Sequence, residues 1–553
     1  MGGKGKRMSV WNASAIRRSF PAFTISRETA LSVAASIAFA VGTLLLLDFG
    51  NDLFYTVYWA PDDFKMYLPL GLALVAALVF VNTRYADFNS LLKACMRASA
   101  VGLVVLLAIE IPDYSLGHPE GAAALAYVNN MYFVALACAI VGMFRPAFII
   151  PTVIYLSATR HLVDDISGLI MSTLDIRYML DMALYLAALG IFVVKIGPRI
   201  HPWLAAPERQ SEIVGVGMGL HLANYFWSGI AKVVIGPTPW YWAFENQTAN
   251  QIPYTIESGI LPLGHIPWLS QLAYDTLSFF NTPLNAFIVL VQLFAILCVL
   301  KVSWLKVTSI LFDLLHIGIY VFGGLFFWPW IWNNLTIWWA ARSQKQGLQI
   351  NTKVACTTAI LLGAPFLHVN SAAWLAWFDV ADARQVYFEA VTRDGRAVKT
   401  PSAFFSSHSY SISHGYVGHH DVEGQYTGTT LASSLTLERN EKSGTCTAPS
   451  SFKETNYVET DAQRLARQAT LQNFLTFHHN KMRTREAAVG RGSWYFHAHH
   501  HPSNPFLYEQ FNALSLNDVI GYNLVLESVC HSMKDGHVEK KVLARTTEYY
   551  NVR

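Results

Sequence analysis

The run IVGVGMGLHLANYFWSGIAKVVI, residues 213–235, is long enough to cross a bilayer and holds a single charged residue, Lys232. A spanning helix needs roughly 20 mostly apolar residues. Comparable runs recur near 30–47, 66–82, 99–111, 122–142, 145–157, 178–194, 284–300, 305–327 and 354–369. None alternates polar and apolar residues as a transmembrane β-strand does. The runs at 122–142 and 145–157 are close enough to be one bent helix or a tight pair. The expectation is a multi-pass α-helical membrane bundle of about eight or nine spans. Composition agrees: 53% of residues are hydrophobic and only 14% charged, too few charges for an ordinary soluble chain. A net charge of +3 with no basic stripe argues against nucleic acid.

The apolar runs end near residue 370, and the remainder is polar and His-rich. There RQVYFEAVT alternates as a strand, and RDGR reads as a hairpin turn centred on Asp394-Gly395. TDAQRLARQATLQNFLTF has the apolar spacing of an amphipathic helix. SWYFHAHHH and KKVLARTTEYYNV read as further strands, and 406–452 as loops. The expected organisation is an N-terminal segment 1–28, a transmembrane helical domain 29–375 and a strand-rich α+β soluble domain 376–553. The basic flank Lys4, Lys6, Arg7, Arg17 and Arg18 predicts a cytoplasmic N-terminus. Residues 236–283, opening GPTPWYWAF, are expected to hold re-entrant or interfacial helices. Asn246-Gln247-Thr248 within them is a formal glycosylation acceptor.

Several groups could carry chemistry. Lys232 either snorkels to headgroups or faces a protein cavity. A buried amine is favoured in its neutral form, and a neutral amine can act as a general base. Asp313 and His316 share a helix face at i, i+3, either as a helix-joining pair or as catalytic groups. Arg160, His161, Asp164 and Asp165 form a membrane-edge cluster, and Trp377 and Arg384 stand at the start of the soluble domain. The histidine clusters at 419–420, 478–479 and 497–501 lack an H-x-x-H-H box, and no metal site is expected. Of six cysteines, four lie in apolar runs as small hydrophobes. Cys446 and Cys530 could pair if their domain lies in an oxidising compartment.

Taken in order, these segments resemble the vitamin K-dependent γ-carboxylase family, with its HTTM-type membrane domain and soluble C-terminal domain. YFWSGIAKV resembles the family's Tyr-Phe-x-Ala-Gly-x-x-Lys segment, followed by a Trp, here Trp240. IIPTVIYLSATRHLVDD resembles the family stretch that carries a His, and DLLHIGIYVFGGLFFWPW the helix with a single His. Trp377 and Arg384 keep the family's Trp-to-Arg spacing, and VTRDGR follows. The resemblance implies a γ-glutamyl carboxylase. Its cofactors would be reduced vitamin K or menaquinone, O2 and CO2, and its partner a glutamate-containing protein or peptide. A lysine would deprotonate the hydroquinone. Oxygenation to the epoxide would then generate a base strong enough to remove a glutamate γ-proton, and CO2 would add. Lys232 inherits the base role, with His161 and His316 as further catalytic residues. Arg384, Trp377, His201, Tyr225 and Trp240 would bind substrate. The membrane would be a bacterial inner membrane or the endoplasmic reticulum, with the soluble domain extracytoplasmic. The chain departs from the pattern at Ala231, at Phe378-Asp379, at Asp382 and in the insertion 403–460. A relative that epoxidises a quinone but modifies another acceptor is therefore an alternative. A transporter or channel is a third reading, but no inverted repeat with broken helices is visible.

Overall fold

The computed structural model of the chain describes residues 26–58, 63–169, 174–366, 375–413, 460–490 and 501–553, together with Gly415, Val417, Ser433, Ser434, Cys446 and Tyr495. The first part is helical: α1 Arg27–Tyr58, α2 Asp63–Val79, α3 Ser90–Ile109, α4 Gly121–Gly142, α5 Ile149–Ser167, α6 Leu174–Ile191, α7 Gly197–Ile200 and α8 Glu208–Val234. Then come α9 Tyr241–Glu245, α10 Gln251–Glu257, α11 Pro267–Phe279, α12 Asn281–Leu293, α13 Ala295–Cys298, α14 Val302–Gly323, α15 Trp328–Arg342 and α16 Ile350–Phe366. Among the described residues, five segments are long and apolar enough to cross a membrane: Arg27–Gly50, Ser90–Ile109, Gly121–Gly142, Ile176–Ile200 and Val302–Gly323. The bent pair α11 and α12, broken by 72°, would make a sixth if it is one span. That is fewer than the eight or nine expected from the apolar runs. The runs in α2 and α16 form helices shorter than a span. The tight pair at 122–142 and 145–157 is two helices, α4 and α5, joined by a 3-10 turn at Pro146–Phe148.

Helix α8 differs from a lipid-facing span. It is buried almost continuously from Arg209 to Lys232, polar residues included. A helix buried on all faces sits inside a bundle. Its close neighbour is α16: a Cβ on Gly215 would press on Thr352 O, and one on Gly219 on Cys356 O. Small residues spaced four apart let two backbones approach in this way. At its N-terminal end Glu212 pairs with Arg209 and accepts a hydrogen bond from Ser36 Oγ at 2.6 Å, tying in α1. Gly219→Val should therefore force the two helices apart and lower stability by roughly 2 kcal/mol or more, as overpacking does. Thermal unfolding in detergent measures it, and an unchanged midpoint would contradict this packing.

The C-terminal part holds β1 Phe378–Asp379, β2 Asp382–Thr392, β3 Ala397–Lys399, α17 Ser409–Ser413, β4 Ser433–Ser434, α18 Asp461–Val489, β5 Val519–Lys534 and β6 His537–Asn551. β1 pairs with β4, and the main sheet runs β3-β2-β5-β6, all antiparallel. The β2–β3 turn falls at Asp394-Gly395 as expected, with Gly395 left-handed. The β5–β6 turn places Asp535 and Gly536 at φ 51° and 80°, the pattern of a two-residue hairpin. Helix α18 starts in a capping box between Thr460 and Gln463 and covers one sheet face. Phe474 of this helix packs in one cluster with Phe388, Phe404, Phe511 and Tyr522. Cys446 and Cys530 form a disulfide with Cα atoms 5.5 Å apart. Most of the expected strand at 493–501 and most of the loop region 406–452 lie outside the described residues.

Helix α18 also joins the two parts. Lys481 and Arg485 pair with Asp113 at 2.6 and 2.9 Å. His478 lies between Ser115 Oγ at 2.8 Å and Phe404 O at 2.9 Å, and the Ser115 N–H donates to His408 Nε2 at 2.8 Å. Burial holds His478 down to about 3 and His408 well below the usual histidine range. Both are neutral in the fold, so their contribution is full above about 6.5. It is lost as pH falls toward the folded values. The thermal midpoint should fall with pH from about 6.5 downward, and His478→Gln should flatten the dependence. Parallel curves for variant and wild type would contradict this.

Candidate functional site

Lys232 lies near the C-terminal end of α8, where the helix meets the first residues of the soluble domain. Its side chain is buried, and Nζ donates to Leu375 O at 3.0 Å. The amine stands 5.4 Å from the Trp242 ring and 5.9 Å from the Trp377 ring. Among the described residues it makes no direct ion pair; Asp379 acts on it through space. The snorkelling alternative is therefore not what the structure shows: the amine turns into protein.

Asp379 is a buried hub. Oδ1 accepts from Gln251 Nε2 at 2.7 Å and from Trp377 Nε1 at 3.0 Å, and Oδ2 accepts from Asn246 Nδ2 at 2.9 Å. Its own N–H donates to Asn246 Oδ1 at 2.6 Å. Trp242 Nε1 donates to Trp377 O at 2.5 Å. Asn246 is held in turn, its carbonyl accepting from Asn281 Nδ2 at 2.6 Å and Asn285 Nδ2 at 2.9 Å. Burial pushes the Asp379 carboxyl up to about 6, against the hydrogen bonds and the nearby Lys232 charge, which lower it. The segment 236–283 does supply short helices, α9, α10 and α11, and the first two bring Trp242, Asn246 and Gln251 to this site. Asn246, a formal glycosylation acceptor in the sequence, is fully buried and engaged, so the motif is structural here.

A second cluster lies on the same face of α8, two turns earlier, about 10 Å along the axis. Tyr225 stacks on Phe312 with ring centroids 3.7 Å apart, and His316 stands 5.8 Å from Tyr225 and 5.4 Å from Phe327. Asn334 on α15 gathers the polar groups. Its Nδ2 donates to Tyr225 Oη at 3.0 Å and Asp313 Oδ1 at 2.9 Å, and its Oδ1 lies 2.7 Å from His221 Nε2. Trp330 closes the group at 5.8 Å from Tyr225. This is an aromatic enclosure with one carboxylate, Asp313, whose Oδ2 has no partner. Beside His221 lies a cavity of about 30 Å3, lined by Tyr178, Gly217, Asn333 and others. That is room for about two waters, not for a bicyclic ring.

The expected site residues divide as follows. Lys232 and Trp377 come together, with Trp240 packed into the same cluster as Trp242, Phe378 and Val380. Tyr225 and His316 come together in the second cluster. His161 lies on the C-terminal half of α5, the end that approaches α18 through Gly168 and Thr470. His201 is exposed at the end of α7, beside the start of α8. Lys232 lies at the other end, roughly 36 Å away along the helix. Arg384 is placed on β2 opposite Ser528; its side chain lies outside the described residues. Gly229, one turn before Lys232, is packed against α12: a Cβ there would stand 3.1 Å from Leu293 N, so that side offers no room for a flat ring. Trp242, Asn246, Asp379 and Asn334 were not singled out from the sequence as site residues. Only the Trp-rich string after Lys232 hinted at any of them.

Among the described residues no group of His, Cys, Asp and Glu could hold a metal ion. His478 and His479 are engaged instead with Ser115, Phe404 and Tyr522. His497, His499 and His500 lie outside the described residues. No family model matches the chain, and no curated protein or solved structure matches it.

Proposed function

We propose that the protein is a membrane enzyme of the vitamin K-dependent γ-carboxylase type, coupling oxygenation of a quinol to carboxylation of glutamyl residues. The observation that carries this is the buried Lys232 amine, walled by Trp242 and Trp377 and facing the field of Asp379. A lysine held in that way has few structural tasks and suits proton abstraction. Bound hydroquinone would supply the reaction with O2 that generates the strong base and the epoxide. Lys232 takes the hydroxyl proton, and Asp379 offsets the charge left on the amine. His316, Tyr225 and Trp330 provide aromatic walls for a flat ring, which must displace side chains to enter. His161 stands as a further catalytic group at the same end of the bundle. Arg384 holds the acceptor carboxylate, for which a guanidinium has the matching geometry.

In this reading the chain spans the membrane eight or nine times, with α2, α5, α8 and α16 completing the bundle. The N-terminus is cytoplasmic and the soluble domain extracytoplasmic, in a bacterial inner membrane or the endoplasmic reticulum. The Cys446–Cys530 disulfide favours such an oxidising side. The second reading, quinone epoxidation with a different acceptor, is favoured by Asp382 and the insertion 403–460, which depart from the family pattern. Purified protein with a reduced menaquinone, O2, labelled CO2 and a glutamate peptide tests both. Epoxide with peptide label supports the first reading, epoxide without label the second, and neither product from folded protein overturns both. Arg384→Ala should abolish labelling while sparing most epoxidation; equal loss of the two would assign Arg384 to folding.

A further inference from the structure

The face of the main sheet that meets α10 carries an unmet hydrogen-bonding demand outside the Lys232 site. Ala383 on β2 packs with Tyr254 of α10, and Gln385, two residues on, points the same way. Gln385 is 4% exposed, and neither its Nε2 nor its Oε1 has a partner among the described residues. Thr400, just past β3, is 3% exposed with its hydroxyl likewise unpartnered. Both line a cavity of about 40 Å3, together with Ser258, Tyr387 and Lys399. By the volume one water needs, this is space for about three waters or one small planar molecule.

The charges around the cavity are unevenly matched. Lys540 pairs with Glu257 at 2.7 Å and with Glu527 at 2.6 Å, and Arg545 pairs with Glu527 at 3.0 Å and with Glu389 at 2.9 Å. Each of these carboxylates thus has a close cation. Lys399 stands further off, 3.8 Å from Glu257 Oε1 and 4.5 Å from the Tyr387 ring centroid, with one hydrogen bond, to Glu257 O. His531, beside Tyr254, is held down to about 4 by burial and adds no charge at neutral pH. An ammonium has three donors, so Lys399 keeps donors and positive charge for a ligand. Burial lowers the pKa of its amine, and a bound anion would offset that.

This inventory narrows the ligand. Gln385 Nε2, Thr400 Oγ1 and Lys399 Nζ offer donors, while Gln385 Oε1 demands one. A neutral ligand leaves the Lys399 charge unmatched, and a bare oxyanion leaves Oε1 unmet. Sulfate and phosphate are tetrahedral and larger than the space. Bicarbonate is small, planar and singly negative, and it carries one O–H beside its acceptor oxygens. Its O–C–OH edge pairs side by side with a primary amide, meeting Nε2 and Oε1 together. We propose that the cavity between α10 and the sheet binds bicarbonate, which donates to Gln385 Oε1 and accepts from Gln385 Nε2, Thr400 and Lys399. The choice of this ion rests in part on the reading of the protein as a carboxylase, since bicarbonate is the form in which neutral water holds most CO2. Helix α10 ties the cavity to that chemistry. Ser258, just past its end, lines the cavity, and Gln251 at its start, about 10 Å away along the axis, donates to Asp379. A filled cavity therefore braces the helix that holds the Asp379 hub.

The test is binding without turnover. Full-length protein in nanodiscs is titrated with isotope-labelled bicarbonate at mildly alkaline pH and constant ionic strength, with no quinol present, and the width of the bicarbonate carbon NMR line is read. Saturable broadening is expected at roughly millimolar concentration, as suits so small a ligand. Gln385→Leu should weaken binding at least about tenfold. Nitrate, of the same shape and charge but without the hydroxyl, should not displace bicarbonate at equal concentration. If Gln385→Leu fails to fold, nitrate on wild type decides alone. No saturable broadening would leave the cavity to water and overturn the proposal. So would unchanged affinity in the folded variant, or displacement by nitrate, which would mark a general anion site. Epoxidation assayed separately with a reduced menaquinone reports on the Lys232 reading, so the two failures are distinguishable.

Discussion

Lys232→Ala is expected to remove both the proposed quinol epoxidation and glutamyl carboxylation, each by about a hundredfold or more, in a protein that still folds. The two losses go together because both products follow from one deprotonation. A hydroquinone hydroxyl is phenol-like, with an intrinsic pKa of roughly 10, and needs a base at neutral pH. A positioned general base contributes about 10² to 10⁴ in rate. The structural cost of the change is small by comparison, since the amine makes one close hydrogen bond, to Leu375 O, and no direct ion pair among the described residues. Product analysis of the folded variant decides it. Loss of carboxylation with epoxidation intact would place Lys232 on the acceptor side and refute its role toward the quinol.

Replacing Asp379 has the second large effect. Asp379→Ala leaves the buried donors of Gln251, Asn246 and Trp377 without their acceptor. Each buried donor left without its acceptor costs about 1–3 kcal/mol. Asp379→Asn keeps most of the shape and isolates the charge. The carboxyl is pushed up to about 6 by burial, so the fold favours its neutral form. That contribution to stability is full below about 4, the ordinary aspartate value, and is lost as pH rises through about 6. The charge that supports Lys232 appears over the same interval. Wild-type activity should therefore rise through an acid limb near pH 6, and Asp379→Asn should lose that limb and about tenfold in rate. A limb that survives unchanged in Asp379→Asn would assign it to another group.

The parts that could be read from the chain are those in which near neighbours in sequence determine the outcome. The run 213–235 makes α8, RQVYFEAVT makes β2, and the helical spacing after Thr460 makes α18. What local pattern did not show is where α8 lies: its polar residues are buried against other helices, as on a helix inside the bundle and not at its rim. Helix α15 was missed because WPWIWNNLTIWWAAR mixes Trp with Asn and shows no apolar stripe. Yet it supplies Asn334, which joins His221, Tyr225 and Asp313. The Asp379 hub was out of reach for a different reason. Asn246 and Asp379 are separated by 133 residues, and nothing local marks either as the partner of the other. The sequence pointed to Trp240, while Trp242, two positions on, is the ring beside the amine. Trp240 is instead the left-handed residue that opens α9.

The central claim is that the buried amine of Lys232 is the base toward the quinol. Chemical rescue tests it most directly. Folded Lys232→Ala is given reduced menaquinone, O2 and a series of small primary amines of similar size and different pKa, and epoxide formation is measured. The account predicts that epoxidation returns in proportion to free amine and rises with amine basicity, as general-base catalysis requires. Wild-type rates of epoxidation in Lys232→Ala without any added amine would contradict it.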